Sequence, residues 1–338
     1  MITVRQIGKE QAALWDEFVR STPSSTYFHL FGWSEVIRKS YGLSTVFLGA
    51  FDGERLIGIL PAVRSGESKA VSLAFGTYGG WIFSPGVQTG EGEKKLMEHL
   101  SANGIHLLEN RLVGNEGGAQ IGEFVTQRVS LPPSSEQLWN SLDAKVRNQV
   151  RKAQKAGLVA RWGGDQLTDF YAIYSKNMRH LGTPPHPRKF FEAVAAEFGE
   201  AIRILTIRLQ EKTLAAMLLM SFGRQLSDPW AASLREYAAL CPNMLMYWEA
   251  LKLGCENGYD EFDLGRSTIG SGPFKFKSQW GASLVPLTYE AVTLNTNGDL
   301  ERRIPSSSKL LPLLSWLWRL VPLFVTLRLG PLLRKRLA

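Results

Sequence analysis

The stretch FDLGRSTIGSGPFKFKSQWG, residues 262–281, passes from a short apolar strand pattern into glycines, serines and spaced cations. Asp263 closes the strand pattern, Arg266 and Ser267 follow Gly265, and Lys275 and Lys277 stand two residues apart. Glycine backbone and cationic side chains can together hold a phosphate or a carboxylate. The segment is not a P-loop, because Gly270 is followed by Ser271 where that motif requires lysine. Asp263 has two readings: a ligand-facing carboxylate, by analogy with open α/β sheets that bind ligands at strand carboxyl ends, or the cap of a turn. Arg266 and Ser267 read either as anion ligands or as a solvated loop. In an extended strand Lys275 and Lys277 share a face, and in a helix they do not.

Asp228 precedes Pro229-Trp230 inside a strand pattern, where a carboxylate is unexpected unless it faces a cleft. That makes it the candidate general base, with a hairpin or cap role as the alternative. Tyr247 and Trp248 lie on the helix that follows and read as core or as site wall. Tyr78, before Gly79-Gly80, lines a groove on one reading and a tight turn on the other. LDAKVRNQVRKAQKAGL places Leu142, Val146, Val150 and Ala153 at helical spacing. Its other face carries Lys145, Arg147, Arg151, Lys152 and Lys155 against Asp143. This is an amphipathic helix whose basic face is either solvated or touches phosphates. Cys241 and Cys255 are too few for a disulfide framework, and His180 and His186 have no further metal ligand spaced nearby. No Ser/His/Asp or Cys/His arrangement is legible. No metal and no cofactor are expected.

The elements that must position these residues alternate between helix and strand. Residues 9–20 and 33–40 are helical in pattern, STVFLGAFDGERLIGILPAVRS is a hairpin about Asp52-Gly53, 91–103 is a helix, and IHLLENRLV is a strand. After Leu131-Pro132-Pro133, residues 166–180 and 188–198 read as helices. Three strands cover 201–233, then come a helix opened by Pro242 and closed by Gly258, and two further strands. Both halves run helix, hairpin or meander, helix, strand, a weak repeat of structural type. The expected organisation is a first domain over 1–130, a second over 131–300 with a basic helical arm at about 134–157, and a tail over 301–338.

The chain has 338 residues, 44% hydrophobic and 21% charged, enough for two globular domains. Its net charge is +8, but residues 309–338 hold six basic and no acidic residues, so 1–308 carries only +2. A broad nucleic-acid-binding surface is therefore not implied. The tail KLLPLLSWLWRLVPLFVTLRLGPLLRKRLA is broken by Pro312, Pro322 and Pro331 and by Arg319 and Arg328, so no apolar run is long enough to span a bilayer. It reads either as short helices packed on the protein or as an interfacial anchor, with Leu and Trp in the headgroup zone and arginines on anionic lipid. The first residues lack the apolar core of a signal peptide. The expected location is the cytoplasm, with the tail at the inner membrane face.

Five segments carry a family resemblance: YFHLFGWSEVIRKSYG, LAFGTYGGWIFSP, LDAKVRNQVRKAQKAGL, CPNMLMYWEALKLGCENGYDEFDLGRS and GPFKFKSQWGA. Together, over about residues 3–300, they resemble the FemAB-like proteins of the GNAT-like acyltransferase superfamily, and most nearly the FemAB-related proteins of exosortase and exopolysaccharide systems. The resemblance implies an α/β (α+β) fold of two tandem GNAT-like domains with mixed sheets flanked by helices. It implies transfer of an aminoacyl or acyl group to an amine of a peptidoglycan, exopolysaccharide or other envelope precursor. It also implies that Lys277 orients the acyl donor or polarises its carbonyl. FemAB relatives use aminoacyl-tRNA and more distant relatives acyl-CoA, but the resemblance does not imply this subgroup's donor or acceptor; the expected partners are an aminoacyl-tRNA or acyl-CoA donor and a lipid-linked or polysaccharide acceptor. One departure bears on the donor: SLREYAALCPN has no glycine where CoA-dependent relatives carry [QR]-x-x-G-x-[GA], whose N–H groups hold a pyrophosphate. That favours aminoacyl-tRNA. The competing class is a non-catalytic membrane-surface scaffold.

Overall fold

The computed structural model describes residues 1–114, 122–305 and 311–336. They form two compact units: Met1–Glu123 with Pro286–Ser308 and Lys335–Ala338, and Phe124–Val285 with Lys309–Arg334.

The first unit opens with β1 (Ile2–Gln6), α1 (Ala12–Ser21) and α2 (Gly32–Tyr41). The hairpin β2 (Thr45–Asp52) and β3 (Arg55–Arg64) turns where Asp-Gly chemistry requires, with Asp52 paired to Arg55 and Gly53 at φ 58°. Then follow β4 (Lys69–Ser72), β5 (Ile82–Phe83), α3 (Thr89–Ala102) and β6 (Leu107–Val113). Leu48, Ile57, Leu60, Leu96, Leu100 and Leu108 share its core.

The second unit holds β7 (Phe124–Ser130), α4 (Ser135–Ser141), α5 (Ala144–Lys155), β8 (Leu158–Trp162), α6 (Leu167–Leu181) and α7 (Arg188–Phe198). It continues with β9 (Ile202–Leu209), β10 (Lys212–Phe222), β11 (Gln225–Ser233), α8 (Pro242–Glu256), β12 (Glu261–Thr268) and α9 (Gly272–Ser278). β13 (Ser283–Leu294) and β14 (Leu300–Arg303) return to the first unit, and α10 (Leu311–Leu320) and α11 (Leu323–Arg336) end the described chain.

The two sheets follow one plan. In the first, β1-β2-β3-β4 are antiparallel neighbours, β4 meets β6 in parallel after the α3 crossover, and β13 adds an antiparallel sixth strand. In the second, β8-β9-β10-β11 are antiparallel, β11 meets β12 in parallel after α8, and β7 is the antiparallel sixth strand. The sixth strand of each sheet thus comes from the other repeat in sequence: β7 follows β6, and β13 follows β12. This is why the cuts expected at 130 and 300 do not coincide with the compact units, which divide at 123 and 285. Pro132-Pro133 marks a surface turn within the second unit, since β7 before it already pairs with β12.

The basic arm is also different from its expectation. Residues 134–157 form two helices broken at Leu142-Asp143, and Leu142, Val146, Val150 and Ala153 are buried in the core around α8. The amphipathic stripe is present, but the segment packs on α8 and β8 and does not project as an arm. α8 is buried nearly all round, from Met244 to Cys255, and its burial locks the β11–α8–β12 crossover that shapes the site.

Candidate active site

β11 and β12 pair over only three residues, Gln225–Ser227 against Glu261–Asp263. Beyond that point each strand stays with its outer neighbour, β11 with β10 and β12 with β7. Both ladders are irregular where the strands part. The β10–β11 register shifts between Leu218 and Met220, opposite Asp228-Pro229, and the β12–β7 register shifts between Asp263 and Arg266. Pro229 has no N–H for the ladder, and Gly265, at φ 72°, takes the left-handed conformation that a bulge needs. The result is an opening between two parallel strands, rimmed by Asp228 and Gly265.

α9 brings Lys277 to this opening. Ser271 caps the helix by accepting from Phe274 N at 3.3 Å, and Pro273 stands in the first turn. Lys277 is buried, and its Nζ donates to the carbonyl oxygens of Gly265 at 2.9 Å and Arg266 at 3.1 Å. A Cβ placed on Gly265 would lie 3.4 Å from Asp228 Oδ1 and 3.8 Å from Lys277 Nζ, so these three groups share one small space. Tyr247, on α8, turns its hydroxyl to the Asp228 carboxyl. Its ring stands against Phe276 at 5.0 Å and Trp280 at 6.1 Å.

Burial dominates the electrostatics. It pushes the Asp228 carboxyl up from 3.8 to about 8, although Lys277 and Tyr247 both favour its ionised form. Burial pulls the Lys277 ammonium below its ordinary value against the attraction of Asp228 and Asp263. It also drives the Tyr247 hydroxyl well above the phenolic range, helped by the charge of Asp228. Asp228 Oδ1 and Ser267 Oγ are buried and have no hydrogen-bond partner among the described residues. A carboxyl that titrates near neutrality, with a free oxygen at a strand opening, is equipped to accept a proton from an incoming nucleophile.

Asp228, Tyr247 and Lys277 are therefore brought together, and the other expected residues sort by geometry. Asp263 is fully buried and its carboxylate is saturated: it accepts from Thr126 Oγ1, from Gly265 N at 2.7 Å and from Arg128 Nε at 3.3 Å. The catalytic reading of Asp263 is corrected to a positioning one, since it clamps β7 to β12 and fixes the bulge. Lys275 is exposed because α9 is a helix, so it points away from Lys277 and is surface charge. Arg266 is exposed and lies over the Phe124 ring at 4.7 Å. Arg147 donates to the carbonyl oxygens of Trp139 and Asn140 at the end of α4, and Arg151 covers the Trp139 ring at 5.3 Å, so both tie α5 to α4. Tyr78 is a core residue of the first unit, edge-on to Phe28 at 5.2 Å.

Sequence reasoning missed Thr126, Arg128 and Gly265. An isolated glycine in a strand pattern is the signal that marks a bulge, but nothing local points to residues on β7.

The loop before α8 is a 3-10 turn, Arg235–Leu240, ending at Cys241 with φ 57°. Pro242 supplies no N–H, and the N–H groups of Met244 and Leu245 return to the Cys241 carbonyl at 3.0 and 3.4 Å. The first turn of α8 thus offers few donors to a pyrophosphate.

The first unit has a separate cleft of about 730 Å³, walled by Trp81, Phe83, Glu93, Glu290 and Arg302. Arg302 bridges Glu290 at 2.8 Å and Glu93 at 2.7 Å, and Asn110 Nδ2 donates to Glu290 at 3.0 Å. Each charge there is already paired within the wall.

Residues 140–278 match the family described as acetyltransferase (GNAT) domain, a span that contains Asp228, Tyr247, Asp263 and Lys277. The chain is an acyltransferase. Among solved structures it is similar to FemX, at 15% identity over 84% of this chain and 95% of that one, with a TM-score of 0.63. It is similar to the C-terminal domain of a putative lysylphosphatidylglycerol synthetase from Agrobacterium fabrum, at 12% identity over 85% and 91%, with a TM-score of 0.53. It is also similar to a tandem GNAT protein from the clavulanic acid biosynthesis pathway, at 10% identity over 86% and 98%, with a TM-score of 0.52. These likenesses establish the fold, and the expected pair of GNAT-like units is the one found. No curated protein gives a significant sequence match.

Proposed function

We propose that the second unit transfers an aminoacyl or acyl group directly from an activated donor to an amine of a cell-envelope precursor, in the manner of FemAB-type enzymes. The observation that carries this reading is Asp228, a buried carboxyl raised to about 8 at the place where β11 and β12 part. The acceptor nitrogen attacks the donor carbonyl carbon, a C–N bond forms, and the nitrogen's proton passes to Asp228. When the tetrahedral intermediate collapses, the C–O bond of an ester, or the C–S bond of a thioester, breaks and the leaving group takes that proton from Asp228, which returns to its ionised form. Lys277 uses two N–H groups on the bulge carbonyls and directs the third at the developing oxyanion. Tyr247 holds the Asp228 carboxyl in place.

The donor in this reading is aminoacyl-tRNA. The glycine-free turn at 235–241 and the proline-blocked start of α8 support it, because a CoA pyrophosphate needs free N–H groups there. The names of two structural neighbours, FemX and a lysylphosphatidylglycerol synthetase, support an aminoacyl group and an envelope acceptor. The acceptor class is a lipid-linked or polysaccharide precursor at the inner membrane face, which includes the exopolysaccharide setting of the resemblance. The acetyltransferase description of the matched family favours acyl-CoA as the competing donor. Binding of the purified chain to charged tRNA and to acetyl-CoA separates the two. The proposal expects saturable binding of the charged tRNA, and a tight acetyl-CoA complex with turnover would overturn it.

A further inference from the structure

α10 and α11 are docked by the side that a water-facing helix would expose. Their fully buried residues are small or polar, while Trp318, Leu323, Val325 and Leu327 are half-buried. Thr326 and Gly330 are buried, and Gly330 packs so closely on Pro185 that a Cβ would come within 2.5 Å of it. The Ser315 carbonyl presses on Gly182 just beyond α6, leaving 2.3 Å for a Cβ there. Arg179 Nε donates to the Val321 carbonyl at 2.6 Å, at the turn between the two helices, and Arg334 donates to the Pro184 carbonyl at 3.1 Å. Five large apolar side chains face outward: Leu314, Trp316, Leu320, Phe324 and Leu332 are each more than half exposed. A solvated surface helix has the reverse arrangement, and an apolar face of this kind marks an interaction surface.

Charge selects the occupant. Arg319, Arg328, Lys335 and Arg336 are exposed on the same helices, and no acidic residue occurs between 309 and 338. An apolar face studded with cations complements a layer that is apolar within and anionic at its surface. No helix of the described residues is long and apolar enough to cross a membrane, so these two would lie in the headgroup zone with Trp316 and Phe324 inserted.

We infer that α10 and α11 form a docked hairpin that seats the second unit on an anionic lipid bilayer. The inference deepens the envelope-precursor reading by placing the chain at the acceptor's own surface, and the surface itself is argued without that reading.

Co-sedimentation of the full chain with vesicles tests it, with no donor or acceptor present, so a failed transfer reaction leaves the result intact. Binding to phosphatidylcholine–phosphatidylglycerol vesicles is expected to exceed binding to phosphatidylcholine alone and to weaken with salt. Arg319→Ser and Arg328→Ser are each expected to lower the affinity for the anionic vesicles about fivefold. Trp316→Ser combined with Phe324→Ser is expected to abolish binding without lowering the melting temperature, because both side chains are exposed. A folded chain that stays in the supernatant with both vesicle types overturns the inference. So does concentration-dependent dimerisation that the Trp316/Phe324 variant removes, which would make the face a contact between copies.

Discussion

Asp228→Asn is expected to uncouple stability from pH. The native carboxyl titrates at about 8 because it is buried, whereas in the unfolded chain it returns to about 3.8. Between those values the folded state holds a proton that the unfolded state has lost, so stability falls as pH rises through this window. At pH 5 the folded carboxyl is protonated and resembles the neutral amide. By pH 8.5 most of it is ionised against its surroundings. Integrating the two titrations from pH 5 to pH 8.5 gives a loss of about 4 kcal/mol in the native protein that the amide does not suffer. Lys277 and Tyr247 both lower the Asp228 value that remains at about 8, while Lys277, itself pulled below its ordinary value by burial, titrates in the opposite sense and offsets part of this loss. Urea denaturation at pH 5, 7 and 8.5 reads this directly: the two proteins should be of similar stability at pH 5, and the variant should be the more stable at pH 8.5. Parallel stability profiles would show that Asp228 ionises like an ordinary carboxylate, and the assignment of a near-neutral base would fail.

Lys277→Met should cut transfer at least a hundredfold and destabilise the fold by about 1–3 kcal/mol, because the Gly265 and Arg266 carbonyls lose their donor; kinetics and urea melts check both. Asp263→Ala should cost about 3–5 kcal/mol, since it leaves Arg128 and Thr126 facing a buried void, and a change below 1 kcal/mol would refute the clamp. Gly265→Ala should cost about 1–2 kcal/mol from its φ of 72° alone, the space for a methyl being ordinary contact at 3.4 Å. Lys275→Ala should leave both activity and stability unchanged within about 0.5 kcal/mol, which separates it from Lys277.

Local chemistry made much of the fold legible. Asp52-Gly53 fixes its hairpin, Leu142, Val146, Val150 and Ala153 give the buried stripe of the basic helix, and Pro242 opens α8. What escaped was non-local. β7 and β13 each complete the sheet of the other repeat, so a proline-rich stretch next to β7 looks like a boundary and is not one. The turn-cap reading of Asp263 agrees with its bond from Gly265 N, but its clamp on β7 is not legible locally, because Thr126 and Arg128 are more than 130 residues away in sequence. At Phe274-Lys275-Phe276-Lys277 the alternation has the period of a strand, yet Ser271 and Pro273 start a helix, and that cap decides which lysine turns inward. Asp228 stood out because a carboxylate before proline in a strand breaks the local rule, and such breaks gather at functional sites.

Mass spectrometry of envelope glycolipids, from cells carrying the native gene, no gene, or the Asp228→Asn gene, tests the central claim most directly. The account predicts an added acyl or aminoacyl mass on an amine-bearing envelope precursor in the first cells alone. The same added mass in all three, or in the Asp228→Asn cells at the native level, would contradict it.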